Sequence, residues 1–310
     1  MSDYHRAIVA LSMQDPDTNL VKNSLPLIEA LGVKTVYVTH LSVNTDLPDD
    51  ESLAQGLEPV REEILEQARD LAKQVPEWSK EIEVEVVATP NASIKSLLEF
   101  AKDKDIGLIC LSSGAEKPSP LSRQAVRLAH RAFCSIFVAP DAPFFPFQKI
   151  FVPVDFSKSS GEAMRWAVKI AEYDPAAKIV AQHTYDVPTG FERSGSSFDE
   201  FAGCLLDTAK KRWERFKSDY DVPDSVSIRY DLIPHSDRHH ESSKYIVSAA
   251  EEEDADLVLC GSRGKSGLAS IVVGSVAESL LEKLPLPMFC VRERKERMGL
   301  IEALFGFEKS

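Results

Sequence analysis

An α/β fold of two tandem, doubly wound, open parallel sheets, five strands each in the order 3-2-1-4-5, is predicted by three features of the sequence. The 310 residues fold onto themselves as two copies of one pattern. Within each copy, apolar runs of strand length alternate with stretches of helical periodicity, which implies a mainly parallel sheet with right-handed crossovers. A proline-rich stretch, Pro140-Asp141-Ala142-Pro143-Phe144-Phe145-Pro146, separates the copies.

In the first copy strands are expected at residues 7–12, 35–40, 82–86, 108–111 and 136–139. Their counterparts in the second are 151–155, 179–183, 226–230, 257–260 and 288–291. The first and fourth are uniformly apolar, as in Leu257-Val258-Leu259-Cys260, and suit positions buried on both faces. The third alternates, as in Ile82-Glu83-Val84-Glu85-Val86, and suits an edge exposed on one face. Between them, Leu57, Val60, Ile64, Ala68 and Leu71 keep helical spacing in the first copy, as do Phe198, Phe201, Leu205, Ala209, Trp213 and Phe216 in the second. Ser159 with Glu162, and Ser275 with Glu278, have the S-x-x-E spacing of a capping box, so helices are expected to start there. The expected layout is therefore a domain at 1–140, a linker at 141–147, a domain at 148–292 and a tail at 293–310. In the tail, Met298, Ile301, Leu304 and Phe305 are spaced for a short amphipathic helix that packs back on the protein.

A site is expected where the winding of the second sheet reverses, between its first and fourth strands, because ligands in such sheets bind beyond the carboxyl ends of those strands. Asp155 ends one strand and Gly261 the other, so residues far apart in sequence converge on one crevice. Asp155 can accept hydrogen bonds from ribose hydroxyls, or cap the helix that follows. Gly261-Ser262-Arg263-Gly264 and the helix start at Gly274-Ser275 offer backbone N–H groups and a positive dipole end to an anion, with Arg263 and Lys265 adding charge. Gly264-Lys265-Ser266 also looks like the end of a Walker A loop, but that motif needs glycine where Leu259 stands.

The spacing that does hold, G-x2-G-x9-G-S from Gly261 to Ser275, resembles the nucleotide-binding signature of the universal stress protein family. The two-copy pattern extends the resemblance over nearly all of residues 6–292, to a tandem member in which two such domains are fused. The resemblance implies an adenine nucleotide alpha hydrolase-like fold and a role in stress survival with ATP, accompanied by Mg2+, as the ligand. Carried over residue by residue, it implies the family's strand-one aspartate at Asp155, Thr184 facing adenine, and Gly261, Ser262, Gly264, Gly274, Ser275 and Val276 around the phosphates, with Pro153 and Arg263 as further candidate nucleotide-binding residues. The first copy departs from this pattern. Ser12 stands where Asp155 does, Ser112 replaces Gly261, and Ser122 and Arg123 fall opposite Gly274 and Ser275, so that copy is not expected to bind ATP in the same way. Pairing of last strands in the family implies an intramolecular pseudo-dimer and leaves room for a homodimer.

Composition bounds the alternatives. A hydrophobic fraction of 44% with 27% charged residues supports an ordinary core in each copy. A net charge of −13 argues against nucleic acid as a principal partner. No stretch reaches the roughly 20 apolar residues of a membrane span, and the N-terminus lacks the plan of a signal peptide, which points to the cytoplasm. Cys110, Cys134, Cys260 and Cys290 fall in or beside expected strands, Cys204 on a helix, and no C-x-x-C pair occurs. His235, His239 and His240, with Asp237 and Glu241, leave two readings open: a zinc site, or a polar loop leading into a helix. A ligand- or zinc-binding scaffold without ATP is accordingly the alternative function. Hydrolase, zincin and kinase signatures are missing, so at most slow ATP hydrolysis or autophosphorylation is expected rather than dedicated catalysis.

Overall fold

Apolar runs and helical stripes alternate along the chain as the sequence leads one to expect, and each run becomes a strand. The computed structural model describes residues 4–12, 17–42, 62, 66, 70, 82–87, 93–114, 117–142, 146–234, 242–264 and 273–293. The expected helix through Leu57 to Leu71, the His235–His240 segment and the tail beyond residue 293 lie largely or wholly outside the described residues. The chain divides into two units, one of Met1–Pro146 with Leu281–Ser310, the other Phe147–Leu280.

The first unit contains β1 (Arg6–Leu11), α1 (Asp17–Ala30), β2 (Thr35–His40), β3 (Glu83–Val86), α2 (Ile94–Asp103), β4 (Leu108–Gly114), α3 (Pro120–Arg131) and β5 (Ser135–Pro140). Its strands run β3-β2-β1-β4-β5, all parallel. The central β1 and β4 are buried almost throughout, whereas the edge strand β3 alternates exposed and half-buried residues, as its glutamates require. β10 (Met288–Val291), expected as the fifth strand of the second copy, groups with this unit and pairs antiparallel to β5, Phe289 opposite Phe137. The pairing is knit by Tyr4, whose hydroxyl lies 2.8 Å from Ser135 Oγ and whose ring packs on Phe289. Ser135 Oγ also accepts from Arg292 N at 3.0 Å, and the Arg292 guanidinium donates to Ala129 O at 3.2 Å.

The second unit contains β6 (Lys149–Pro153), α4 (Lys158–Ala171), β7 (Lys178–Asp186), a short 3-10 turn (Phe191–Ser194), α5 (Phe198–Asp219), β8 (Ser227–Ile233), α6 (Ser242–Glu252) and β9 (Leu257–Gly261); α7 (Ser275–Lys283) begins in it. The order β9-β6-β7-β8 is parallel, with β9 buried throughout, β6 buried along its middle and the half-exposed β8 at the edge. Helix α4 packs on β6 and β9, and α6 on β7 and β8. Ridges of α5 bury Ala209, Trp213 and Phe216, as their spacing predicts. Tyr220, at the end of α5, lies so close to α4 that a Cβ on Gly161 would sit 2.0 Å from its ring.

Three local expectations are corrected. Helix α4 is capped by Ser157, whose Oγ accepts from Ser160 N at 3.2 Å, and not by Ser159, which is buried two residues later in the first turn. β6 stops at Pro153, two residues short of Asp155, because Phe156 adopts a left-handed conformation with φ 62° and turns the chain out of the ladder. β7 and β8 continue to Asp186 and Ile233, since residue-by-residue pairing between them holds the ladder beyond the apolar runs.

In the first unit the ammonium of Lys117 donates to the carbonyl of Leu284, just past α7, and burial pulls its pKa down to about 8. The unfolded value is the ordinary 10.5, so the unfolded chain binds the extra proton between those limits and the fold gains stability as pH rises through them. Wild type is therefore expected to gain roughly 1–3 kcal/mol between pH 8 and 10 relative to Lys117→Met, measured by urea denaturation at each pH. Parallel pH profiles for the two proteins would refute the assignment.

Candidate functional site

The left-handed Phe156 is what aims the crevice. A bulky residue in this conformation costs on the order of 1 kcal/mol or more. The ring is held by packing at 4.4 Å from the His183 ring and 5.8 Å from Phe216, with the Arg212 guanidinium 4.8 Å above it. The turn brings Asp155 back over the end of β6, where Oδ1 accepts from Ser157 N at 3.0 Å. Both readings of Asp155 thus have a basis: one oxygen supports the start of α4, and the residue lines the cavity. Its other oxygen lies 3.2 Å from where a Cβ on Gly264 would stand.

On the far side of that cavity, β9 ends against the first turn of α4. A Cβ on Gly261 would lie 2.6 Å from the carbonyl carbon of Ser159 and 2.7 Å from its oxygen, so only glycine lets the two backbones meet. Ser262 is fully buried and its carbonyl accepts from Gly274 N at 2.9 Å, while Arg263 N reaches Ser159 Oγ at 3.4 Å. The carbonyl of Gly274 takes the first intrahelical bond of α7, from Glu278 N at 2.9 Å. Gly274 is therefore the N-cap and Ser275 the first helical residue, which replaces the expected Ser275–Glu278 capping box. The N–H groups of Ser275, Val276 and Ala277 have no acceptor within the helix, and all three residues line the cavity.

The opposite wall is β7 and α6. The Nδ1 of His183 lies 2.8 Å from the carbonyl of Val154, tying the end of β7 to the end of β6. Thr184, expected just past the second strand, is inside β7 because that strand runs on to Asp186. Gln182, Ser242 and Ile246 line the same wall. The enclosed space is about 270 Å³, with backbone donors at one pole and a mixed apolar and amide surface at the other.

The fold thus brings Pro153, Asp155, Thr184, Gly261, Arg263, Gly264, Gly274, Ser275 and Val276 around one cavity, with Ser262 buried behind it. Sequence reasoning missed Phe156, Gln182, Ser242 and Ile246. Gln182 was detectable as the polar residue that follows the apolar run Ile179-Val180-Ala181. Ser242 and Ile246 sit on α6, whose approach to β7 no local pattern encodes. His235, His239 and His240 lie outside the described residues; among the described residues no group of three or more His, Cys, Asp or Glu could hold a metal ion. No described helix is long and apolar enough to cross a membrane.

The corresponding end of the first unit is built differently. Ser12 donates through N and Oγ to Asp17 Oδ1 at 2.9 and 3.0 Å, and Ser112 Oγ accepts from Gly114 N at 3.1 Å. Helix α3 starts at Pro120 after the N-cap Ser119, so these residues, rather than Ser122 and Arg123, stand where Gly274 and Ser275 do. Proline has no N–H, and a reciprocal capping box satisfies Ser119 N and Ser122 N. Few donors remain there for an anion.

Residues 146–292 match the family model described as the universal stress protein family. A universal stress protein of Methanocaldococcus jannaschii is 27% identical over 168 residues, covering 48% of this chain and 96% of that protein. One from Mycobacterium tuberculosis strain H37Rv is 24% identical over 209 residues, covering 66% of this chain and 67% of the relative. A universal stress protein crystal structure from Archaeoglobus fulgidus shares the fold, with a TM-score of 0.62 at 18% identity over 94% of this chain and all of that one.

The close approach at Gly261 is open to a direct test. Gly261→Ala forces backbone apart from backbone and is expected to cost about 1–3 kcal/mol. Gly264→Ala, whose Cβ would meet only a carboxylate oxygen at 3.2 Å, should cost clearly less. Denaturation followed by tryptophan fluorescence reads this unit through Trp166 and Trp213; equal losses for both variants would contradict the geometry.

Proposed function

We propose that this chain, whose residues 146–292 match the universal stress protein family, is a tandem member of it that binds ATP in the second unit as a stress-response regulatory or protective protein. The observation that carries the reading is the polarity of the cavity: Ser275, Val276 and Ala277, whose N–H groups have no acceptor within α7, line it together with Asp155. In this reading the phosphates lie on the α7 N-terminus and the Gly261–Gly264 backbone. Asp155 accepts from the ribose hydroxyls, and the base lies over β7 beside Thr184 and Ile246. Mg2+ accompanies the nucleotide, and bound ATP supplies at most slow phosphoryl transfer, with no residue here assigned as a catalyst.

The first unit, whose donors are consumed internally by Asp17 and the Ser119–Ser122 box, serves as a structural partner. Antiparallel pairing of β5 with β10 supports a pseudo-dimer in which the last strands of the two copies meet. Soluble, cytoplasmic residence belongs to the same proposal.

Mass spectrometry of small molecules and metals that co-purify with wild type and Asp155→Ala is the decisive measurement. Near-stoichiometric adenine nucleotide in wild type, with affinity reduced about ten- to hundredfold in the variant, is expected from the loss of charge-assisted hydrogen bonds. Zinc or a non-nucleotide ligand in place of nucleotide would overturn the reading.

A further inference from the structure

Among the described residues the strand order ends at β3 in the first unit and at β8 in the second. An edge of this kind can accept a further strand, and natural sheets block that addition with unfavourable charges along the edge. β3 is blocked against its own copy. Laid antiparallel about Val84, two such strands set Glu83 against Glu85, and like charges directly opposite repel. β8 behaves in the other way. Paired antiparallel with its own copy about Tyr230, Ser227–Ile233 sets Arg229 opposite Asp231, Ile228 opposite Leu232 and Tyr230 opposite itself. Moving the centre by one residue, to Arg229 or to Asp231, opposes like charges, so a single register is favoured.

The charge at this edge is unbalanced in the matching sense. One guanidinium, Arg229, serves Asp231 at 2.9 Å, Glu252 at 2.9 Å and Glu253 at 3.0 Å, and all four side chains keep part of their surface in solvent. A second guanidinium is therefore attracted to Asp231. The apolar residues agree. Ile228, Tyr230 and Leu232 share one face of β8, and Leu232 lines an open cleft of about 520 Å³ with Phe191, Glu192, Phe198 and Pro234. Phe191 is held there by packing on Phe198 and Phe201 at 5.7 and 6.0 Å. In the pairing about Tyr230, Ile228 of the second copy lies beside Leu232, at the mouth of this cleft. We infer that the β8 edge is a docking surface for a second copy of this chain, joined by two-fold antiparallel pairing of Ser227–Ile233, with Arg229 meeting Asp231 across the strands and Ile228 covering the cleft beside Phe198. The contact is small beside the roughly 800 Å² per partner of a standard interface, so a Kd on the order of 10 μM is expected.

Sedimentation equilibrium of the full chain, of R229D, of D231R and of the two variants mixed in equal amounts tests this. Wild type is expected to pass from monomer toward dimer between about 1 and 100 μM. Each variant alone opposes like charges across the strands and should associate about tenfold or more weakly. The mixture should recover dimers, because each substituted chain supplies the charge that the other lacks, and a fold lost in either variant is not repaired by mixing. Should a variant not fold, hydrogen exchange of wild type at the two ends of the concentration range reads the same contact: β8 amides gain protection as concentration rises and β3 amides do not. A wild type that stays monomeric, a dimer indifferent to both substitutions, a mixture of folded variants that fails to pair, or β8 amides unaffected by concentration would overturn the assignment.

Discussion

At the carboxyl end of β9 the backbone of Gly261 lies against the backbone of Ser159 in the first turn of α4, closer than any side chain permits. The remaining features of the crevice hang on that contact. Because β9 and α4 touch, the chain leaving β9 passes over the helix start, where Arg263 N meets Ser159 Oγ. Its return is fixed by the bond from Gly274 N to Ser262 O, which sets the N-terminus of α7 over the sheet. A Cβ at Gly261 would wedge β9 from α4 and move every backbone donor that faces the cavity.

The two copies show how a shared scaffold can be opened or closed by short-range chemistry. In both, a histidine at or near the end of the second strand hydrogen-bonds a carbonyl at the end of the first: His183 to Val154 and His40 to Leu11. Burial lowers the His40 pKa, which favours the neutral ring with its single Nδ1–H directed at that carbonyl. Beyond this common tie the copies diverge. Glycines bring backbone to backbone in the second, leaving the first N–H groups of α7 facing a cavity. Serine, proline and a buried aspartate fill the same roles in the first, and their side chains satisfy the backbone from within.

A chain with net charge −13 can still offer locally positive potential beside this cavity. The positive potential comes from oriented backbone N–H groups and the end of a helix dipole, which act over a turn or less and do not require a basic surface. Several acidic residues are engaged elsewhere. Asp231, Glu252 and Glu253 gather on Arg229, and that network holds the amide of Gln182 in place.

Strand positions, the doubly wound order and the convergence of Asp155 and Gly261 on one crevice were all legible in the sequence, because apolar runs, edge alternation and glycine spacing are local signals of burial and chain direction. Helix α1 was not: Pro26 falls inside it, and Asn23 and Ser24 sit on its buried face, bonded to Ala142 O and Leu20 O. The cap of α4, the left-handed turn at Phe156 and the start of α7 at Gly274 were decided by tertiary structure. Several serines in each stretch could cap a helix, and only packing against His183, Phe216 and Ser262 chooses among them. The pairing of the Gln182 amide nitrogen likewise depends on Asp231 and Tyr245, distant in sequence, arriving beside β7. A sequence determines which residues must be buried and where the chain can turn; which buried polar atoms then find partners depends on elements that meet only when the sheet is assembled.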